Sequence, residues 1–219
     1  EYIEDIKTSF KFIFKSKRLI SLMLYSGISW AFMCIMSEYR ETILKDIGTS
    51  SQIMGIIAAI FGIVSGIASK KQVQFHNIFK NRSLSVITIS CSIAMILSGV
   101  TVILQVPTSL AIVIIVLLGI VGKSDAAMST ILVNRYLGNF ANKEIVSKIY
   151  AASSIVKNLI RMIIGMAGSV LLGITTSSNA MTIGGIVFFI VSIILLIYMR
   201  PRVGLKPEQY SKQEIGVEI

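Results

Sequence analysis

The 219-residue sequence has little of the charge that a soluble protein places on its surface. Charged residues make up 15% of the chain and hydrophobic residues 54%, and the mean hydropathy is +0.79. A soluble fold needs a polar shell around its apolar core, and so few polar residues cannot supply one. The composition therefore predicts a membrane protein, for which lipid is part of the solvent.

Cysteine and histidine are also scarce. Cys34 and Cys91 lie far apart in apolar runs, where an unpaired thiol packs as a small hydrophobic group. The single histidine, His76, lies in a basic stretch, where we expect a solvated loop residue. The sequence has no nucleophile with a base, no metal-ligand spacing and no cofactor motif, so we expect neither an enzyme nor a bound cofactor or metal.

Six apolar segments are long enough to cross a bilayer as helices, which takes roughly 20 residues each. Charges, Pro107, Pro201 or short polar turns bound them. The segments are 19–37, 51–69, 84–105, 109–133, 145–173 and 179–199. The predicted fold class is therefore all-α, a polytopic membrane protein with six transmembrane helices in residues 19–200.

Basic residues cluster on one side of the predicted membrane. Basic clusters precede the first span, follow the second, flank the connection between the fourth and fifth, and follow the sixth. On the opposite side, the basic residues are Arg40 and Lys45. This asymmetry predicts a multi-pass protein of the bacterial cytoplasmic membrane with both termini in the cytoplasm. It also explains the net charge of +10 without a nucleic-acid partner.

The two ends of the chain are predicted to lie in the cytoplasm outside the spans. Residues 1–18 have apolar side chains at helical spacing, which indicates an amphipathic linker helix in the membrane interface, with a plain solvated linker as the alternative. Residues 201–219 form a predicted cytoplasmic tail. Because the chain begins with Glu1 and has no signal peptide, we expect its numbering to start within a longer protein.

Polar and ionisable residues within the spans are unevenly placed. Lys123 and Asp125 fall in the fourth span, and Lys157, Asn158 and Arg161 fall in the fifth. A charge at mid-bilayer costs about 2.5 to 3.5 kcal/mol on insertion scales, so charged helices must face protein or water. We therefore expect the first, fourth and fifth spans to line a substrate or ion cavity and the third and sixth to face lipid.

The fourth and fifth spans are antiparallel and carry opposite charges at similar depth. From the helical rise, Asp125 lies about 15 Å and Lys157 about 13 to 14 Å from the cytoplasmic end. We therefore predict an ion pair of Asp125 with Lys157, or with Arg161 one turn further out. The alternatives are a Lys157 that snorkels to the interface and an Asp125 ion pair with a purely structural role.

Two further groups stand out near the first, second and fifth spans. Glu38, Tyr39 and Arg40 form either an outer gate or a simple helix boundary. The mid-span position of Trp30 favours a role in helix packing over stacking on a substrate ring. Small residues form stripes that favour close helix packing, and their glycines are Gly62, Gly66, Gly165 and Gly173.

The order of features repeats after three spans, as a charged, a glycine-striped and a plain span. Such a three-plus-three repeat is the internal symmetry of each half of a major facilitator superfamily transporter. Residues 38–70, EYRETILKDIGTSSQIMGIIAAIFGIVSGIASK, resemble the seventh and eighth helices of these transporters. Residues 134–159, NRYLGNFANKEIVSKIYAASSIVKNL, resemble the connection between the tenth and eleventh helices in bacterial members.

The resemblance implies the C-terminal half of a secondary transporter that moves a small solute by alternating access, with an N-terminal six-helix lobe as its partner. The ionisable cavity residues would then bind an anionic group or couple H+ movement. The basic loop 69–83 lacks the Asp that many members carry, so we expect no conformational lock there. The residues leave open a self-contained six-helix channel or permease subunit acting as an oligomer, and a non-transporting scaffold or sensor.

Overall fold

The computed structural model describes residues 16–140 and 146–203, and all regular structure in these ranges is helical. A 3-10 turn, Lys80–Arg82, joins the second α-helix to the third. The α-helices are α1 (Lys17–Asp46), α2 (Ser51–Phe79), α3 (Ser83–Ile103), α4 (Thr108–Phe140), α5 (Val146–Ile174) and α6 (Ser177–Val203). The predicted linker helix before residue 16 and the predicted tail beyond Val203 lie outside the described residues.

Five helical stretches of the described chain are long and apolar enough to cross a membrane. One of them, Ser51–Ile103, has 53 residues and contains α2, the 3-10 turn and α3. The protein is therefore all-helical in its described ranges and suited to a membrane. Six separate crossings and the three-plus-three repeat stay predictions.

Several helices are longer than the predicted spans. α1 continues to Asp46, so the predicted gate residues lie on a helix, and α2 continues through the basic stretch to Phe79. His76 is consequently buried, with its Nδ1 2.9 Å from the Ser83 hydroxyl, and the prediction of a solvated loop residue is wrong. Hydropathy marks where apolar side chains end, whereas backbone hydrogen bonds continue a helix through charged residues.

The helices end where the backbone changes direction. Gly48, with φ +83°, follows α1, and the hydroxyl of Ser50 then accepts a hydrogen bond from the amide of Ile53 to begin α2. Lys80, with a φ of 47°, ends α2 and is the first residue of the 3-10 turn. α6, by contrast, continues through Pro201, which was predicted to bound the sixth span.

α3, α6 and α1 form the most closely packed part of the molecule. A Cβ at Gly99 of α3 would lie 2.8 Å from the Thr182 amide nitrogen of α6, and one at Gly185 would lie 2.8 Å from the Ile96 amide nitrogen. Only glycine permits so close an approach of two backbones. The Phe32 and Phe188 rings stack at 4.8 Å and attach α1 to α6.

α2 and α5 lie at the margin of this packing. α2 packs mainly against α4, and α5 mainly against α1. The predicted stripe glycines are open, because a Cβ added to any of them would meet no atom within 4 Å among the described residues. These glycines are Gly62, Gly66, Gly165 and Gly173. Their predicted helix packing is therefore not found within the described chain.

Side-chain hydrogen bonds join neighbouring helices near their ends. At one end, the Tyr25 hydroxyl donates to the Leu84 carbonyl and the Tyr150 hydroxyl to the Asn134 carbonyl, each at 2.9 Å. At the other end, the Ser177 hydroxyl donates to an oxygen of Asp46 at 2.5 Å.

Candidate functional site

α1, α4 and α5 enclose a cavity of about 270 Å³, here called the basic cavity. They are the three helices that the distribution of charge along the sequence selected. The polar and aromatic side chains that line the cavity are Trp30, Ser37, Glu38, Arg40, Lys123 and Arg161.

Arg40 is the most deeply buried cation at this cavity, with 2% of its surface exposed. Its guanidinium carbon lies 4.4 Å from the centroid of the Phe61 ring, and its Nη2 donates to the Ser37 hydroxyl at 3.2 Å. Its Nε is buried and has no hydrogen-bond partner among the described residues. Gly119 makes room for this arrangement, since a Cβ there would lie 3.1 Å from the Arg40 Cδ.

Lys123 approaches the same hydroxyl from α4. Its Nζ donates to the Ser37 oxygen at 2.9 Å, and that oxygen has two lone pairs with which to accept from both cations. Within the described chain, no carboxylate oxygen lies within 4.0 Å of the charged nitrogens of Arg40 or Lys123. Two cations therefore converge on one neutral group, and neither of them forms an ion pair with a carboxylate of the described residues.

Arg161 has a partner, unlike the other two. Its Nη2 lies 3.5 Å from the Glu38 Oε1, and the two side chains are 49% and 62% exposed. Such an exposed pair contributes little stability, but it joins α5 to α1 beside the basic cavity. The charge of Arg161 is thus balanced by Glu38.

Of the three residues predicted as an outer gate, Glu38 and Arg40 both line the basic cavity. Glu38 pairs with Arg161, and Arg40 is buried beneath Phe61. Tyr39 is 3% exposed, and its hydroxyl donates to the Gly168 carbonyl of α5 at 2.6 Å. Tyr39 attaches α5 to α1, and an outer gate formed by these residues stays a prediction.

The predicted ion pair of Asp125 is wrong for the described chain. Asp125 is 4% exposed, and its Oδ2 accepts a hydrogen bond from the Ser90 hydroxyl of α3 at 2.6 Å. The reason is helical geometry: residues two apart lie about 200° apart around a helix, so when Lys123 faces the cavity Asp125 faces α3. Lys157 and Arg161 instead line the cavities.

A second cavity, of about 250 Å³, lies next to the first and is here called the inner cavity. Its lining comprises Trp30, Thr130, Asn134, Ser154, Lys157 and Asn158. A further cavity of about 350 Å³ extends it past Lys157 to Tyr150. Trp30 lines both the basic and the inner cavity, and its indole therefore lies between two polar spaces rather than in the core.

Sequence reasoning missed Ser37, Ser90 and Phe61, and it gave Trp30 a packing role. Ser37 could have been found from its position three residues before Arg40 on one helix face. Ser90 belongs to a run of hydroxyl residues, 88, 90 and 92, in an otherwise apolar helix. The contact of Phe61 with Arg40 depends on the packing of α2 against α4, and local sequence carries no signal for it.

The described residues contain no group of three or more His, Cys, Asp or Glu side chains that could hold a metal ion. No family model, no curated protein and no solved structure matches the chain. Its function is therefore inferred from the contacts of its own residues.

Proposed function

We propose that the chain is the C-terminal six-helix half of a secondary transporter, of the major facilitator type, that moves a small solute across the cell membrane by alternating access. The observation that carries this proposal is the pair of polar cavities that meet at Trp30 in an otherwise apolar helical chain. Ionisable groups at membrane depth are costly and are typical of solute and ion pathways.

The exposed faces of α2 and α5 support a second lobe as partner. Both helices carry large apolar side chains on their outer surface, and their stripe glycines have open space beside them. In lipid, small residues favour association because they let another helix approach closely. A second six-helix lobe seated there would also cover the cavities that α1, α4 and α5 line.

A self-contained channel or permease subunit is the second candidate. The same open faces of α2 and α5 would suit further copies of this chain, arranged around a shared pore. The two candidates differ in access: a transporter exposes its site to one side at a time, whereas an open channel exposes it to both.

Sided cysteine labelling of the full-length protein tests this difference. Cys34 lines the basic cavity and serves as the outer reporter in a Cys91→Ser background. Ser154 lines the inner cavity, and the Ser154→Cys variant, in a background that also carries Cys34→Ser and Cys91→Ser, serves as the inner reporter. An uptake assay against a solute panel first identifies a transported solute.

Alternating access predicts that this solute changes the maleimide labelling of the two reporters in opposite directions. The reagent is membrane-impermeant and is applied from either side of oriented vesicles. Labelling of both reporters that rises and falls together would contradict the transporter proposal and favour the channel. A Ser109→Cys variant, at the exposed start of α4, controls for reagent access.

A further inference from the structure

We infer that the basic cavity binds the anionic group of the transported solute, with Arg40 as its anchor and Lys123 as the second cation. This inference rests on the proposed function and names the substrate class of the same site. The juxtaposition that carries it is one hydroxyl, that of Ser37, shared by a guanidinium at 3.2 Å and an ammonium at 2.9 Å.

The charge balance at this hydroxyl favours an anion. A buried cation is costly unless a counter-charge accompanies it, and Arg40 is 2% exposed. No carboxylate oxygen of the described residues lies within 4.0 Å of Arg40 or Lys123, and the two positive charges repel each other. Glu41 offsets part of this positive charge from a longer distance, and an anion at the shared hydroxyl would balance the rest.

The unused donors of Arg40 specify the kind of anion. One face of the guanidinium lies against Phe61, Nη2 reaches Ser37, and the buried Nε has no partner among the described residues. A guanidinium donates well to the oxygens of one planar or tetrahedral anionic group. The favoured ligand group is therefore a carboxylate or a phosphate.

The cavity also offers room and apolar surface for a solute. Its volume among the described residues is about 270 Å³. Met33, Met36 and Trp30 line it beside the cations, so it offers apolar surface to an organic body. Lys157, in the inner cavity beyond Trp30, supplies a further cation on the cytoplasmic side. The inferred solute is a small organic anion.

Trp30 provides the readout for an equilibrium binding test, because its indole lines the cavity. The full-length protein in neutral detergent is titrated with sodium salts of acetate, a C4 dicarboxylate, inorganic phosphate and glycerol phosphate. Sodium chloride at equal ionic strength, glucose and choline chloride are the controls, and a Trp30→Phe variant gives the background. We expect at least one organic anion, and no control solute, to change the Trp30 fluorescence saturably.

Variants then test the anchor. We expect Arg40→Gln to weaken the affinity for that anion at least tenfold, Lys123→Gln to weaken it severalfold, and Arg200→Gln, at the exposed end of α6, to leave it unchanged. Because Arg40→Gln also removes the contact with Phe61 and the hydrogen bond to Ser37, the thermal midpoint of the anion-free variant is measured beside its affinity. A lowered midpoint with unchanged anion affinity would show a structural role and overturn the inference.

Two further outcomes bear on the source of the anion and on the proposed function. A fluorescence change with phosphatidylglycerol but with no soluble anion would identify a lipid headgroup and overturn a solute anion. If only neutral solutes bind while the two cysteine reporters still respond in opposite directions, the anion inference fails and the transporter proposal stands. Anion binding without opposite responses of the two reporters would contradict the transporter proposal but not anion binding at the basic cavity.

Discussion

At the scale of single residues, the side of the helix decides what a charge does. Lys123 and Asp125 are two residues apart, and they face α1 and α3 respectively. The cation therefore belongs to the basic cavity, while the carboxylate is buried against a serine. A function assigned to one of them does not extend to the other.

The hydroxyl of Ser90 is expected to stabilise the protein through its hydrogen bond to Asp125. Ser90→Ala leaves the buried carboxylate oxygen without this donor, which should cost about 1 to 3 kcal/mol of unfolding free energy. Unfolding in sodium dodecyl sulfate measures the change. Ser98→Ala is the matched control on α3, because its hydroxyl bonds to the Ala94 carbonyl of its own helix. Equal losses in the two variants would contradict a specific role of the Ser90 contact.

At the scale of helices, glycines divide into two classes. Gly99 and Gly185 hold α3 and α6 close together, whereas the stripe glycines of α2 and α5 have open space beside them. The sequence pattern indicated only the stripe glycines, and these have no packing partner within the described chain. Tyr39 is one contact that keeps α5 in place.

Substitution of these glycines should separate folding from assembly. Gly185→Ala brings a Cβ within 2.8 Å of the Ile96 backbone and should destabilise the chain by about 1 to 3 kcal/mol. Gly62→Leu meets open space and should leave the stability of this lobe within about 0.5 kcal/mol. Thermal unfolding in detergent measures both.

The proposed lobe interface predicts a second effect of Gly62→Leu. The bulky side chain should abolish or strongly reduce transport by the full-length protein, because it keeps a neighbouring helix from approaching α2. Gly48→Ala, in the turn after α1, reports instead on strain at positive φ. Full transport by Gly62→Leu would argue against a lobe seated on this face.

At the scale of the whole molecule, packing is concentrated in α1, α3 and α6, while α2 and α5 stay at the margin. The polar cavities lie among α1, α4 and α5, away from the tight contact of α3 with α6. α1 thus contacts both α6, which packs closely on α3, and α5, which carries cations.

Orientation in the membrane is a prediction for the same scale. Reporter fusions after residues 82 and 203 should be active as cytoplasmic proteins, and fusions after residues 106 and 175 as exported ones, because the basic residues lie at the first two positions. Replacement of Lys70, Lys71, Lys80 and Arg82 by glutamine should weaken this bias. Glutamine at Lys45 is the control on the opposite side. A reversed reporter pattern in the unaltered protein would refute the predicted topology.

The sequence by itself indicated that the protein is suited to a lipid membrane, and it identified the helices that carry charge. Low charge and long apolar runs need no tertiary information, because a helix in lipid satisfies its own backbone. The cavity helices α1, α4 and α5 follow from the cost of charge in hydrocarbon. Bounds were accurate where turns are polar and short, as for α3 and α5, and too short where helices continue through charged residues.

Only the tertiary structure decided which charges meet. Depth along a helix can be counted from the sequence, but the rotation of one helix against another is set by packing, which turned Asp125 to Ser90 and Arg40 to Phe61. The same packing left the stripe glycines open and moved Trp30 between two cavities. Side-chain partners depend on which faces touch, and a local pattern does not contain that information because it is a property of the whole bundle.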